Sequence, residues 1–204
     1  MHLVCLDLES VLIPEIWVTI AKVTKVRELQ LTTRDVPDYK ELMKRRLQLL
    51  STHNLTLANV QKIIETINPL DGALSFLNWS RKHFPTIILT GSFYEFIAPL
   101  MDKLAYPTLF GNSLEIDHQG FISNYRLRQQ NGKIDAVKAL KTMGFQTIAV
   151  GDSYNDLGML READIGFLFN PTENIRKEFP DFSVVDGYDD LKYQLSKYSI
   201  PGVR

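Results

Sequence analysis

The chain has 204 residues, 45% of them apolar and 23% charged, which is the balance of a folded globular protein and excludes a disordered one. Its 23 Lys and Arg nearly cancel its 24 Asp and Glu, so no overall field is directed at nucleic acid or an anionic membrane. No stretch reaches the roughly 20 apolar residues that span a bilayer, Asp7 and Glu9 break any leader-like run, and the single Cys5 can form no internal disulfide; a reducing cytoplasm is expected.

In chain order, the apolar run 3–6 predicts a short strand buried on both faces. Residues 14–69 then carry helical patterns at 15–29, 38–51 and 57–67, punctuated by Pro37 and closed by Asn68-Pro69. A second buried strand is predicted at 86–89 and a helix at 93–104. Between 108 and 129, alternating runs flank Asp117-His118-Gln119-Gly120, which predicts a hairpin on the edge of a sheet. A helix at 133–143 ends at Gly144, a third buried strand lies at 147–150, and a last helix at 189–197 leads into a frayed tail. This alternation predicts an α/β fold, a doubly wound parallel sheet of Rossmann-like type. Residues 1–13 and 70–204 are expected to form that core and 14–69 a small inserted helical cap.

Polar groups follow each buried strand at once: Asp7-Leu8-Glu9, Thr90-Gly91-Ser92, and Gly151-Asp152 with Asn155-Asp156. Ligands of open α/β sheets sit outside the carboxyl ends of the strands, so the three clusters should converge. Asp7, Glu9, Asp152 and Asp156 cannot all stay ionised together without a counter-charge. Oxygen donors without His or Cys at ligand spacing favour Mg²⁺. Lys133 adds a fixed positive charge, and Thr90, Gly91 and Ser92 offer donors for phosphate oxygens. Ser92-x-x-Glu95 also reads as a helix capping box.

These residues resemble the haloacid dehalogenase-like phosphatases. Asp7-Leu8-Glu9-Ser10-Val11 is similar to the family's first motif, Thr90-Gly91 to the second, Lys133 to the third, and Gly151-Asp152-Ser153-Tyr154-Asn155-Asp156 to the fourth. The resemblance implies that Asp7 attacks phosphorus and becomes an aspartyl phosphate, with Glu9 as general acid and base. It implies Mg²⁺ held by Asp7, the Glu9 carbonyl and Asp152 with support from Asp156, and phosphoryl oxygens bound by Thr90 and Lys133 with Asn155 in the substrate site. Most relatives carry Asp where this chain has Glu9.

A helical insertion between the first two motifs is similar to the cap of phosphoserine phosphatases. Glu15 and Arg46 would match the ammonium and carboxylate of a phosphoserine-like small molecule, Arg gripping carboxylate with two hydrogen bonds. Arg46 follows Met43 by three and precedes Leu50 by four, on the apolar side of its helix, whereas charged residues usually sit on solvated faces. Tyr39, just after the N-cap expected at Asp38, would line the same pocket or pack in the core. With Pro14-Glu15-Ile16-Trp17 and Asp38-Tyr39, the chain resembles the phosphoserine phosphatases that also transfer phosphate to homoserine. The alternatives are a phosphatase for another small ester and a non-catalytic regulator; a regulator would be expected to have lost Asp7 or Lys133. The sequence leaves the oligomeric state open, with the cap or hairpin as surfaces for a homodimer.

Overall fold

The computed structural model describes residues 1–32, 35, 36 and 38–199. The break expected at Pro37 and the tail beyond residue 199 lie outside the described residues. The strands are β1 (His2–Leu6), β2 (Thr86–Phe93), β3 (Leu109–Ile116), β4 (Ile122–Arg126), β5 (Gln146–Gly151), β6 (Ile165–Phe169) and β7 (Ser183–Val185). They form one sheet in the order β4-β3-β2-β1-β5-β6-β7, parallel throughout except for the antiparallel pair β3 and β4. The three apolar runs are its three adjacent middle strands, with Leu6 in register between Ile88 and Val150.

Three helices, α1 (Ile16–Thr24), α2 (Tyr39–Thr52) and α3 (Leu57–Ile64), intervene before the crossover helix α4 (Ala73–His83). The rest are α5 (Tyr94–Ile97), α6 (Gly132–Thr142), α7 (Leu157–Glu162), α8 (Glu173–Glu178) and α9 (Tyr188–Ser196). Asp38 caps α2 by accepting from the amides of Lys40 and Glu41, and Thr56 with Asn59 forms a capping box on α3. The segment that carries α1, α2 and α3 begins and ends at one place, because Leu70 N–H donates to the Leu12 carbonyl at 2.9 Å. It also leans on the hairpin, where Leu57 N–H donates to the Gly120 carbonyl at 2.9 Å.

Successive strand residues point to opposite faces, and the packing follows that rule. Leu3, Cys5, Leu89, Ala149 and Leu168 pack with Val137 and Leu140 of α6, Leu160 of α7 and Ile175 of α8. Val4, Leu6, Ile88, Ile148, Val150 and Phe167 face the other way, onto Phe76 and Leu77 of α4 and Leu191 and Leu195 of α9. Cys5 is wholly buried, and burial pushes its thiol up to about 12, as for a small hydrophobe. Among the described residues no helix is long and apolar enough to cross a membrane.

Several local expectations are corrected. The first helix stops at Thr24, where Lys25 turns left-handed (φ 61°), and a 3₁₀ turn at Arg27–Gln30 takes its place. The third ends at Ile64. The helix expected over 93–104 is only α5 and a 3₁₀ turn at Ala98–Leu100, because β2 continues to Phe93 and Pro99 follows within six residues. The capping box at Ser92 does not form: Ser92 lies inside β2, and the Glu95 carboxylate accepts from the Leu114 amide on β3 instead.

Candidate active site

The ends of β1 and β5 meet at a buried ionic cluster. Asp7, directly after β1, is 4% exposed; its Oδ1 accepts the Leu8 amide at 2.7 Å and lies 2.6 Å from Lys133 Nζ. Lys133, in the first turn of α6, is also 2.6 Å from Asp156 Oδ1. Asp156 is fully buried, and its Oδ2 accepts the amides of Asp152 and Ser153, both at 3.1 Å, so it holds the lysine and the turn after β5 together. Gly151 makes room for it: a Cβ there would lie 2.4 Å from Asp156 Cβ.

One oxygen each of Asp7, Asp152 and Asp156 lie within 4.8 Å of one another. Burial, and then the Asp156 charge, push Asp7 well above the usual carboxylate range although Lys133 opposes them. Burial, then Asp156 and Glu15, bring Asp152 to about 7. Burial alone would pull the Lys133 ammonium down, but Asp156 and Asp7 outweigh it and leave it raised. Three carboxylates against one ammonium leave a deficit of positive charge, and an all-oxygen donor set of this kind fits Mg²⁺. The Glu9 carboxylate is not part of this group.

Glu9 turns toward the insertion. Its Oε2 accepts the Ile16 amide at 2.9 Å, and burial together with the neighbouring Glu15 pushes it up to about 8. The turn is tight: Ser10 has φ 62°, its amide donates to the Ile13 carbonyl at 2.7 Å, and its hydroxyl donates to Glu15 Oε1 at 2.9 Å. Glu15 is exposed at the N-cap position of α1.

Thr90, Gly91 and Ser92 form a bulge. Leu89 pairs with Phe110 and Phe93 with Asn112, so three residues of β2 face one of β3. Ser92 N–H donates to Thr90 Oγ1 at 3.0 Å, and the Ser92 hydroxyl is buried without a partner among the described residues. Open space borders Gly91, where an added Cβ would meet nothing within 4 Å. Asn112, 8% exposed, donates from Nδ2 to the Gly91 carbonyl at 2.9 Å and accepts the Arg128 amide on Oδ1 at 3.0 Å.

Arg46 is 8% exposed on the inner side of α2 with Leu42, Met43 and Leu50, while Lys44 and Arg45 point outward. Its guanidinium lies 4.4 Å from the centre of the Trp17 ring, Nη2 donates to the Leu31 carbonyl at 2.6 Å, and Nε is buried without a partner among the described residues. Burial lowers it to about 10, while Tyr39, Glu9 and Glu15 oppose that shift. Tyr39 packs edge-on against Tyr125 of β4, 5.8 Å between centroids, and burial raises its hydroxyl to about 12.

Asp7, Lys133, Asp152 and Asp156 therefore gather at one point, with Glu15 near enough to raise Asp152 and Glu9, and Arg46 near enough to both glutamates to feel their charge. Asn155 is exposed at the rim of the cluster, where its Oδ1 accepts the Ser153 hydroxyl, which also lies 3.3 Å from Asp156 Oδ2. Sequence reasoning missed Asn112 and the Trp17 shelf. A signal existed for the first: Gly111-Asn112 is a glycine and an amide inside a strand, a mark of close backbone approach.

A doubly wound sheet with these carboxylates at its strand ends defines the class, and the chain belongs to the haloacid dehalogenase-like hydrolase family, matched over residues 17–161. Its relatives include phosphoserine phosphatase ThrH of Pseudomonas aeruginosa, 48% identical over 199 residues that cover 98% of this chain and 97% of that one. A phosphoserine phosphatase of Pseudomonas syringae pv. tomato is 46% identical, covering 97% and 84%. Among solved structures, a phospho-aspartyl intermediate analogue of phosphoserine phosphatase superposes with a TM-score of 0.75 at 23% identity, covering 96% of this chain and 97% of that one. At that identity the likeness shows the fold.

Proposed function

We propose that this chain is a Mg²⁺-dependent phosphoserine phosphatase that works through an aspartyl phosphate on Asp7 and can pass the phosphoryl group to homoserine as well as to water. The observation that carries the chemistry is the buried Asp7 held 2.6 Å from Lys133 beside Asp152 and Asp156. The substrate class rests on near-full-length likeness to proteins named phosphoserine phosphatase and on Arg46, whose buried Nε awaits an acceptor such as a carboxylate.

With one oxygen tied to Leu8 N–H and Lys133, the other oxygen of Asp7 forms the bond to phosphorus as the ester oxygen departs. Glu9, raised to about 8, starts protonated and gives its proton to that oxygen, releasing serine. Water then attacks phosphorus, its proton goes to Glu9, and the bond to Asp7 breaks to release phosphate. A homoserine hydroxyl in place of water gives phosphohomoserine by the same steps. Asp7, Asp152 and the Glu9 carbonyl, with Asp156 supporting, would hold Mg²⁺, which would supply positive charge for the phosphoryl oxygens. Lys133, Thr90 and the Gly91–Ser92 turn hold the same oxygens, Asn155 borders them, and Glu15 faces the substrate ammonium. Residues 14–69 act as a cap on a core of 1–13 and 70–204, and opening of the cap would admit the substrate to Asp7, which is 4% exposed. The buried lone thiol suits a reducing cytoplasm.

The test is phosphate release from L-phosphoserine with Mg²⁺, with and without homoserine, while phosphohomoserine is followed. Release without a transfer product leaves a phosphatase alone; phosphohomoserine establishes transfer; no release from phosphoserine overturns the substrate.

A further inference from the structure

We propose that Asn112 is a positioning residue that fixes the phosphate-binding bulge and couples it to Lys133. The proposal rests on the phosphoryl-transfer reading above but not on the identity of the ester.

Where three residues of one strand face one of the next, a backbone group loses its ladder partner. Gly91 is itself exposed, but its carbonyl is held by the buried Asn112, whose Nδ2 donates to it at 2.9 Å and thereby sets the orientation of the peptide plane that joins Gly91 to Ser92. Gly111, next to it, lets β3 come close: an added Cβ would lie 3.1 Å from the Ser92 carbonyl oxygen and 3.4 Å from Thr90 Cγ2. The bulge is thus braced from β3 at two adjacent residues.

The other end of the same amide reaches the third motif. Oδ1 accepts the Arg128 amide at 3.0 Å, and the Arg128 guanidinium in turn donates to the Gly132 carbonyl at 2.6 Å, one residue before Lys133. Arg128 is steadied by lying 5.4 Å from the centre of the Phe110 ring, also on β3. One buried side chain therefore ties together two segments whose donors must close on the same phosphoryl oxygens. Rigid placement of such donors is what electrostatic stabilisation of a transferring group requires.

Asn112→Asp keeps the acceptor for Arg128 but removes the donor to Gly91; Gly111→Ala pushes the same bulge from the neighbouring residue. Each is measured with L-phosphoserine, with p-nitrophenyl phosphate, and for inhibition by orthovanadate, whose oxygens occupy the phosphoryl site without turnover. Expected is a fall in kcat of roughly tenfold or more on both esters and a comparable weakening of vanadate inhibition, with a melting temperature near wild type. Vanadate inhibition and kcat within about twofold of wild type in both variants overturns the proposal, as does a loss confined to phosphoserine. If Asn112→Asp does not fold, Gly111→Ala decides by the same criteria. Wild-type inactivity on phosphoserine alone would count against the substrate assigned above and leave this test standing on the other two readouts.

Discussion

Glu9 and Ile16 are joined by a hydrogen bond of 2.9 Å from the Ile16 amide to Glu9 Oε2, so the carboxyl two residues past Asp7 also caps the first helix of the insertion. A shorter side chain in the same backbone would not span this distance, which gives the departure from Asp a structural reason. Glu9→Asp should release the start of α1 and misplace the acid, lowering kcat by roughly a hundredfold. Glu9→Gln keeps the reach but not the proton, and should lose about as much or more. A Glu9→Asp enzyme of normal kcat would show that the bond to Ile16 has no part in catalysis.

Asp7→Asn should separate stability from turnover. Asp7 has a folded pKa raised above its unfolded value, so above the ordinary carboxylate range its ionised form opposes folding. Removing that charge should leave the melting temperature of the metal-free protein equal or higher, because Lys133 keeps Asp156 as its partner. Phosphate release should fall by about a thousandfold or more. Substantial remaining activity would remove Asp7 as nucleophile.

Arg46 and Trp17 should affect one substrate only. Arg46→Ala is expected to raise KM for phosphoserine by roughly thirtyfold or more, the scale of truncating one partner of a buried charged pair. Trp17→Leu takes away the ring beneath the guanidinium and should cost about fivefold or more by the same measure. Both should leave p-nitrophenyl phosphate nearly unchanged. Equal losses on both esters would place Arg46 on the phosphate.

Asp164 offers a pH test far from the site, at the opposite ends of β5 and β6. Its Oδ2 accepts Thr147 N–H at 2.7 Å and the Thr147 hydroxyl at 3.1 Å. The Thr147 amide, more than any other group, holds its pKa below the ordinary range. That stabilisation is present above the unfolded pKa and is lost as pH falls through the folded one. Because the Asp164 side chain is 40% exposed and solvent screens it, Asp164→Ala should cost only about 0.5–1 kcal/mol at neutral pH with kcat unchanged, and the difference from wild type should shrink on acidification. A constant difference down to the acid limit would assign the effect to packing.

The middle of the sheet was legible because β1, β2 and β5 are buried on both faces and so read as unbroken apolar runs. β6 carries Gly166, which approaches the Leu160 carbonyl, and β7 has only three residues, Ser183–Val185; neither makes a run long enough to read. Asp7, Lys133, Asp152 and Asp156 were legible by type and position. What Ser92 does was not, since a serine three residues before a glutamate looks the same whether it caps a helix or bulges a strand, and the Leu114 amide that engages Glu95 lies on another strand. Arg46 showed its burial through spacing, but its stacking on Trp17 comes from a different helix and leaves no local pattern.

The insertion leaves and rejoins the fold side by side, where Leu70 N–H meets the Leu12 carbonyl, with Tyr188 of α9 donating its hydroxyl to the neighbouring Val11 carbonyl at 2.7 Å. A length of chain that departs and returns at one point can be exchanged without asking any strand to shift register. Arg46 and Trp17 lie on the stretch so bounded, and Asp7, Lys133, Asp152 and Asp156 lie outside it. A foreign helical segment spliced between Leu12 and Leu70 would have to bring its own amide for Glu9 Oε2 in place of that of Ile16.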